Sequence, residues 1–121
     1  MAKVLIVDDS PTQIFTLKQM VETWGHETLI AENGDEALEM ARVEQPNVIL
    51  MDIVMPGMSG FQATRKLSKD LATHGIPVIF VSSKDGEADR IWGMRQGATA
   101  YVTKPVDPGS LFTAISEAVA A

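Results

Sequence analysis

Three times along this chain an uninterrupted apolar run stops abruptly at polar residues. Val4–Val7 stops at Asp8 and Asp9, Val48–Met51 at Asp52, and Ile76–Val81 at Ser82, Ser83 and Lys84. Short runs of this kind, rich in β-branched residues, suit strands buried on both faces, as in a parallel sheet. The proline in the third run sits at its entry, where a strand tolerates it. Two shorter segments, Glu27–Ala31 and Thr99–Thr103, complete a set of five predicted strands.

Helical patterns fill the gaps. Ser10-Pro11 is a helix start, with a capping residue followed by proline at the first helical position. Leu17, Met20, Val21 and Trp24 then fall at i, i+3, i+4 and i+7 up to Gly25. Asn33 caps a second helix, Glu36 is placed to close a capping box, and Ala37, Leu38 and Ala41 face the core before Pro46. Beyond Gly60 a third helix carries Phe61, Thr64 and either Leu67 or Leu71. A polar fourth helix runs from Glu87 to Gln96 and stops at Gly97. Asp107-Pro108 opens a fifth, with Leu111, Ile115 and Val119 at i, i+4 and i+8. Strand and helix alternate five times, which predicts an α/β fold with a parallel sheet covered by helices on both faces through right-handed crossovers.

Composition narrows the function. The 121 residues suit one domain with a real core, expected to span 1–121 with no output domain. Ten basic against sixteen acidic residues leave a net charge of −6 with no basic run, which argues against nucleic acid as a partner. The absence of cysteine excludes disulfides and thiolate chemistry. No apolar run approaches the ~20 residues of a transmembrane helix, so no membrane insertion is expected and a cytoplasmic monomer is the expectation. His26 and His74, beside glycines at helix ends, suit capping roles, and the six methionines after Met1 suit gap-filling in the core.

A parallel sheet brings the strand-end residues to one edge, the edge where α/β folds place their chemistry. Asp8, Asp9, Asp52, Ser82 and Lys104 then converge. Taken singly, each has a plain structural role: the first two aspartates as helix caps, Ser82 as a turn residue, Lys104 as a solvated cation. Together they make chemical sense. Crowded carboxylates repel by ~4 kcal/mol per pair at about 4 Å and an effective dielectric near 20. A hard cation such as Mg²⁺ relieves that repulsion, after which a phosphoryl group can approach a carboxylate nucleophile. Ser82 and Lys104 can then hold its oxygens.

In these residues the chain resembles the receiver domains of two-component response regulators. The resemblance rests on Asp8-Asp9, on Asp52 followed by Met55-Pro56-Gly57 and Gly60, on Ser82, and on Lys104-Pro105, in order along nearly the whole chain. It implies a flavodoxin-like doubly wound (βα)5 fold, with strands in the order 2-1-3-4-5. It implies that Asp52 accepts a phosphoryl group from a phosphohistidine on a histidine kinase or phosphotransfer domain. Mg²⁺ would be held by Asp9, Asp52 and the Val54 carbonyl, with Asp8 acting through water. Ser82 and Lys104 would bond the phosphoryl group, Ser82 and Tyr101 would form the switch, and the Lys104–Pro105 peptide would be cis. Such a protein turns over no external metabolite and signals by binding a downstream protein target.

Two departures stand out: Val54 where the family often has a polar side chain, and Ser82 in place of the more common threonine. Lys84, two residues after Ser82, is expected to face the site. Phe61–Arg65 and Trp92–Ala98 further resemble the single-domain regulators of type IV pilus twitching motility, a chemotaxis-like system. Trp92 suits either a partner contact or the core. The expected output surface surrounds Arg90, Met94 and Tyr101, and the expected kinase contact is the exposed face of the first helix, with Thr12, Gln13, Phe15 and Thr16. The alternatives are an aspartyl-nucleophile phosphohydrolase, and a phosphate sink or phosphorelay intermediate without its own target. Val54 stands where the dehalogenase-like hydrolases carry a second aspartate, which weighs against the first.

Overall fold

The structure, a computed structural model, describes residues 1–120. Strands β1 (Lys3–Val7), β2 (Glu27–Ala31), β3 (Val48–Met51), β4 (Val78–Ser82) and β5 (Ala100–Thr103) alternate with helices α1 (Pro11–Thr23), α2 (Gly34–Glu44), α3 (Gly60–Lys69), α4 (Glu87–Arg95) and α5 (Pro108–Ala120). All strand pairs are parallel and the order is β2-β1-β3-β4-β5, the doubly wound arrangement. No helix among the described residues is long and apolar enough to cross a membrane.

Strand alternation divides the core in two, because successive side chains point to opposite faces. Leu5, Val7, Ile49, Met51, Val78 and Phe80 point to one side, where Ala37 and Ala41 of α2 and Ala63 and Leu67 of α3 cover them. Val4, Ile6, Val48, Leu50, Ile79 and Val81 point to the other, against Leu17 and Val21 of α1 and Leu111 and Ile115 of α5. Both faces are dry, which is why these strands read as continuous apolar runs.

Helix ends follow capping chemistry, with some revisions to the sequence-based boundaries. Ser10 Oγ accepts the Gln13 N–H, and Ser59 and Gln62 form a full capping box on α3. Asn33 Oδ1 accepts the Glu36 N–H at 2.9 Å, but the Glu36 carboxylate reaches the N–H of Glu32, one residue short of the expected box. Strand β4 begins at Val78 and includes Ser82, since Ile76 and Pro77 remain outside the ladder. Of the two candidates on the third helix, Leu67 is buried and Leu71, beyond the helix end, is 89% exposed. Val119 is also exposed: Ala118, three residues after Ile115, takes the core-facing place in the last turn of α5 and leaves the i+8 position to solvent.

Candidate acidic site at the sheet edge

Sheet register builds the site. Val7 pairs with Ala31 on one side and Met51 on the other, so β1 and β3 end level. The Asp52 N–H donates to the Val7 carbonyl at 2.9 Å, and the Asp8 N–H donates to Ala31 at 3.1 Å. Asp8 and Asp52 therefore stand side by side just past the ladder, with Asp9 one step further. One carboxylate oxygen from each of the three lies within 4.8 Å of the others. Asp8 and Asp52 are buried, while Asp9 is open to solvent.

Lys104 arrives from the far strand. Ser82 pairs with Thr103, and the Lys104 N–H donates to the Ser82 carbonyl at 2.8 Å. Its ammonium lies 2.9 Å from Asp8 Oδ2 and 3.6 Å from Asp52 Oδ1. The following peptide, Lys104–Pro105, is cis. Asp8 also accepts the Ser10 N–H and Asp52 the Ile53 N–H, both at 2.9 Å. Even so, three carboxylates face one ammonium. Burial, offset in part by Lys104 and reinforced by Asp8, pushes the Asp52 carboxyl above the ordinary carboxylate range.

The other predicted residues surround this cluster. Ser82 is fully buried, and its Oγ accepts the Lys84 N–H at 3.2 Å. Tyr101 donates its hydroxyl to the Lys84 carbonyl. Its ring rests on Phe80, with centroids 5.9 Å apart, and the Arg90 guanidinium lies over it at 5.1 Å. Burial, with Asp89 nearby, raises the Tyr101 phenol pKa. The Val54 side chain is exposed, and its carbonyl accepts no hydrogen bond among the described residues. Lys84 is exposed and its ammonium makes no ion pair there, so what joins this residue to the switch is its backbone.

On the flanking surfaces, Thr12, Phe15 and Thr16 are exposed as expected, but Gln13, whose N–H closes the α1 cap, is half-buried. Trp92 is 48% exposed, which places it at the surface, and Met94 at 46% is no core gap-filler: Gly93 between them is the residue of α4 packed on Phe80. His26 Nδ1 accepts the Ala2 N–H and ties down the first strand.

Sequence reasoning counted Gly60 in the motif but gave it no role in the site. A Cβ there would lie 2.0 Å from the Asp52 carbonyl oxygen, and the Gly60 N–H donates to Ile53 at 2.8 Å, so α3 starts directly on the backbone that carries Asp52. A glycine placed immediately after the Ser59 cap, where helices favour residues with better propensity, was the available signal.

Comparison with known proteins agrees with this geometry. The chain is 56% identical to Protein PilH of Pseudomonas aeruginosa over 120 residues, 99% of each. A putative response regulator from Chloroflexus aurantiacus superposes with a TM-score of 0.95 at 26% identity, covering 99% of this chain and 98% of that one. The receiver domain of the sensor histidine kinase PA1611 from Pseudomonas aeruginosa, solved with a magnesium ion coordinated in its active-site cleft, has the same fold. Its TM-score is 0.91 at 22% identity, over 99% of this chain and 98% of that one. The family described as the response regulator receiver domain matches residues 4–116, and the chain belongs to that family.

Proposed function

We propose that this chain is a stand-alone, phosphorylation-controlled binding switch of a chemotaxis-like two-component system, acting in the cytoplasm. The observation that carries the reading is the buried cluster of Asp8, Asp52 and Lys104, with Asp9 at its rim. Asp52 is the acceptor because it lies at the end of the central strand, and Lys104 stands farther from it, at 3.6 Å, than from Asp8, at 2.9 Å. Its carboxylate oxygen attacks the phosphorus of a phosphohistidine. The P–N bond breaks, the imidazole leaves with the electron pair, and an acyl phosphate remains, to be cleaved later by water to inorganic phosphate.

The donor set fits Mg²⁺: oxygen ligands only, an excess of negative charge, and one aspartate open to water. Asp9, Asp52 and the Val54 carbonyl would hold it, with Asp8 through water. When bound, Mg²⁺ supplies the positive charge that lets two anions meet. Lys104 then exchanges its Asp8 contact for a phosphoryl oxygen. The Ser82 hydroxyl, an acceptor toward Lys84 N–H at present, has its proton available for another. A shift of the Ser82 loop toward the phosphoryl group would move Lys84 and withdraw the carbonyl that holds Tyr101. Tyr101 lies under Arg90 of α4, the helix that also exposes Trp92 and Met94, so its rotation would change the surface offered to a downstream protein.

The 56% identity to PilH over full length supports a role in type IV pilus twitching motility. Incubation with acetyl phosphate and Mg²⁺ tests the chemistry. The parent should gain a base-labile phosphate, and Asp52→Asn should gain none. Equal labelling of both would refute the assignment. Restoration of twitching in a host deleted for this gene, by the parent and not by Asp52→Asn, tests the cellular role.

A further inference from the structure

The cations of this acidic chain are unevenly placed. Arg65, Lys66 and Lys69, three of its ten, lie on α3. With Gln62 they occupy i, i+3, i+4 and i+7, one exposed helical face. Lys3, Lys18, Arg42 and Lys104 all pair with carboxylates, whereas these three make no ion pair among the described residues. The stripe borders a groove of about 620 Å³ lined also by Gly57 and Met58. Met58 is half-buried and seated over Gly34, where an added Cβ would meet its sulfur at 2.9 Å. Gln62 is fixed at one end by its bond to the Ser59 N–H. The groove thus has an apolar floor, a rigid end and a cationic wall.

Lys66 and Lys69, in the last turn, complement the helix dipole. That accounts neither for the stripe as a whole nor for the methionine-floored groove beside it.

We infer that this groove docks an acidic amphipathic segment of a partner protein, with carboxylates on Arg65, Lys66 and Lys69 and one apolar side chain on Met58. Seven residues of α3 span roughly 10 Å, the length of two turns of a partner helix carrying carboxylates at the same spacing. Nucleic acid fits less well, since a long polyanion would run past three cations into a surface of net charge −6. The groove shares no residue with the acidic cluster, so its binding can be read on the unphosphorylated chain.

The test uses a fluorescein-labelled helical probe peptide with glutamates at i, i+3, i+4 and i+7 and a leucine between them. Its anisotropy is followed against the unphosphorylated full chain. Saturable binding is expected at low salt, weakened roughly tenfold when the salt is raised from about 0.01 M to about 1 M, which shortens the screening length from about 30 Å to about 3 Å. The charge reversal Arg65→Glu, Lys66→Glu, Lys69→Glu should weaken it at least as much, and amide shifts on binding should centre on Gly57, Met58 and residues 62–69. Should that triple variant fail to fold by circular dichroism, Lys66→Gln and Met58→Ser are measured instead, and each should weaken binding severalfold. Unchanged binding in the folded variants overturns the proposal. So do equal binding of a probe with glutamine for glutamate, absence of saturation at millimolar probe, or tighter binding of a single-stranded oligonucleotide of equal charge.

Discussion

Replacing Gly60 with alanine tests how the acidic site is held. The new Cβ would stand 2.0 Å from the Asp52 carbonyl oxygen, 2.9 Å from its carbon and 2.8 Å from Ile53 Cα. Real Cβ atoms essentially never approach within 3.0 Å, so relief requires a separation of about 1 Å. Every atom met is backbone, and no rotamer change can supply that space. Either the first turn of α3 lifts, stretching the 2.8 Å bond from Gly60 to Ile53, or Asp52 shifts against its 2.9 Å bond to Val7. Overpacking costs ~1–3 kcal/mol. Loss of the hydrogen bond adds ~1 kcal/mol, and alanine's helix propensity returns less than ~1. The expected net loss is about 2–3 kcal/mol, well within the ~5–15 kcal/mol that a domain of this size possesses. With an m-value of about 2 kcal/mol/M, the urea midpoint falls by roughly 1–1.5 M. Mg²⁺ should also stabilise the variant less than the parent, because the displaced backbone carries Asp52. Gly75→Ala is the control: a Cβ there meets nothing within 4 Å, so its effect should stay within ~0.5 kcal/mol. A Gly60→Ala midpoint equal to that of Gly75→Ala would refute the reasoning.

Burial raises the Asp52 pKa in the folded state, so this group's contribution to stability is present below the unfolded carboxylate range and is lost as pH rises through the folded value. In Mg²⁺-free buffer at pH 7, Asp52→Asn should therefore melt above the parent, with the gap closing in acid; a variant less stable at pH 7 contradicts this. Thr64 is fully buried, and its hydroxyl has no hydrogen-bond partner, so Thr64→Val should be neutral or stabilising by up to ~2 kcal/mol in a urea melt. A clear loss would show that the hydroxyl has a partner. Val54 and Lys84, both with exposed side chains, are proposed to shield phosphorylated Asp52 from water, one with methyl groups and one with a cation. Val54→Asn with Lys84→Glu should lose phosphate roughly tenfold faster, and equal or slower loss excludes that role.

Much of this architecture was legible because each buried strand ends at, or one residue past, the end of its apolar run. That rule alone placed Asp8, Asp52 and Ser82 at one edge. Helix faces were less legible. Leu71 and Val119 satisfy the helical period, yet α3 has ended before the first and Ala118 takes the core side of the last α5 turn in place of the second, and periodicity settles neither where a helix ends nor which of two neighbours faces in. Contacts between distant residues were not legible at all. The preference of the Lys104 ammonium for Asp8 over Asp52, the Arg90 guanidinium over Tyr101 and the seat of Gly60 on Asp52 each depend on side-chain direction or backbone approach across many residues of chain.

The strand order also dictates the sequence in which a growing chain can complete its core. β1 lies between β2 and β3, so it cannot be paired on both sides until residue 51 exists, and β4 and β5 then add one after the other at a single open edge. The face carrying Val4, Ile6, Val48, Leu50, Ile79 and Val81 is sheltered early by Leu17 and Val21 of α1 but lacks Leu111 and Ile115 until α5 is made. On the ribosome, the part of that apolar face that α5 covers therefore stays wet until α5 is made, after all five strands.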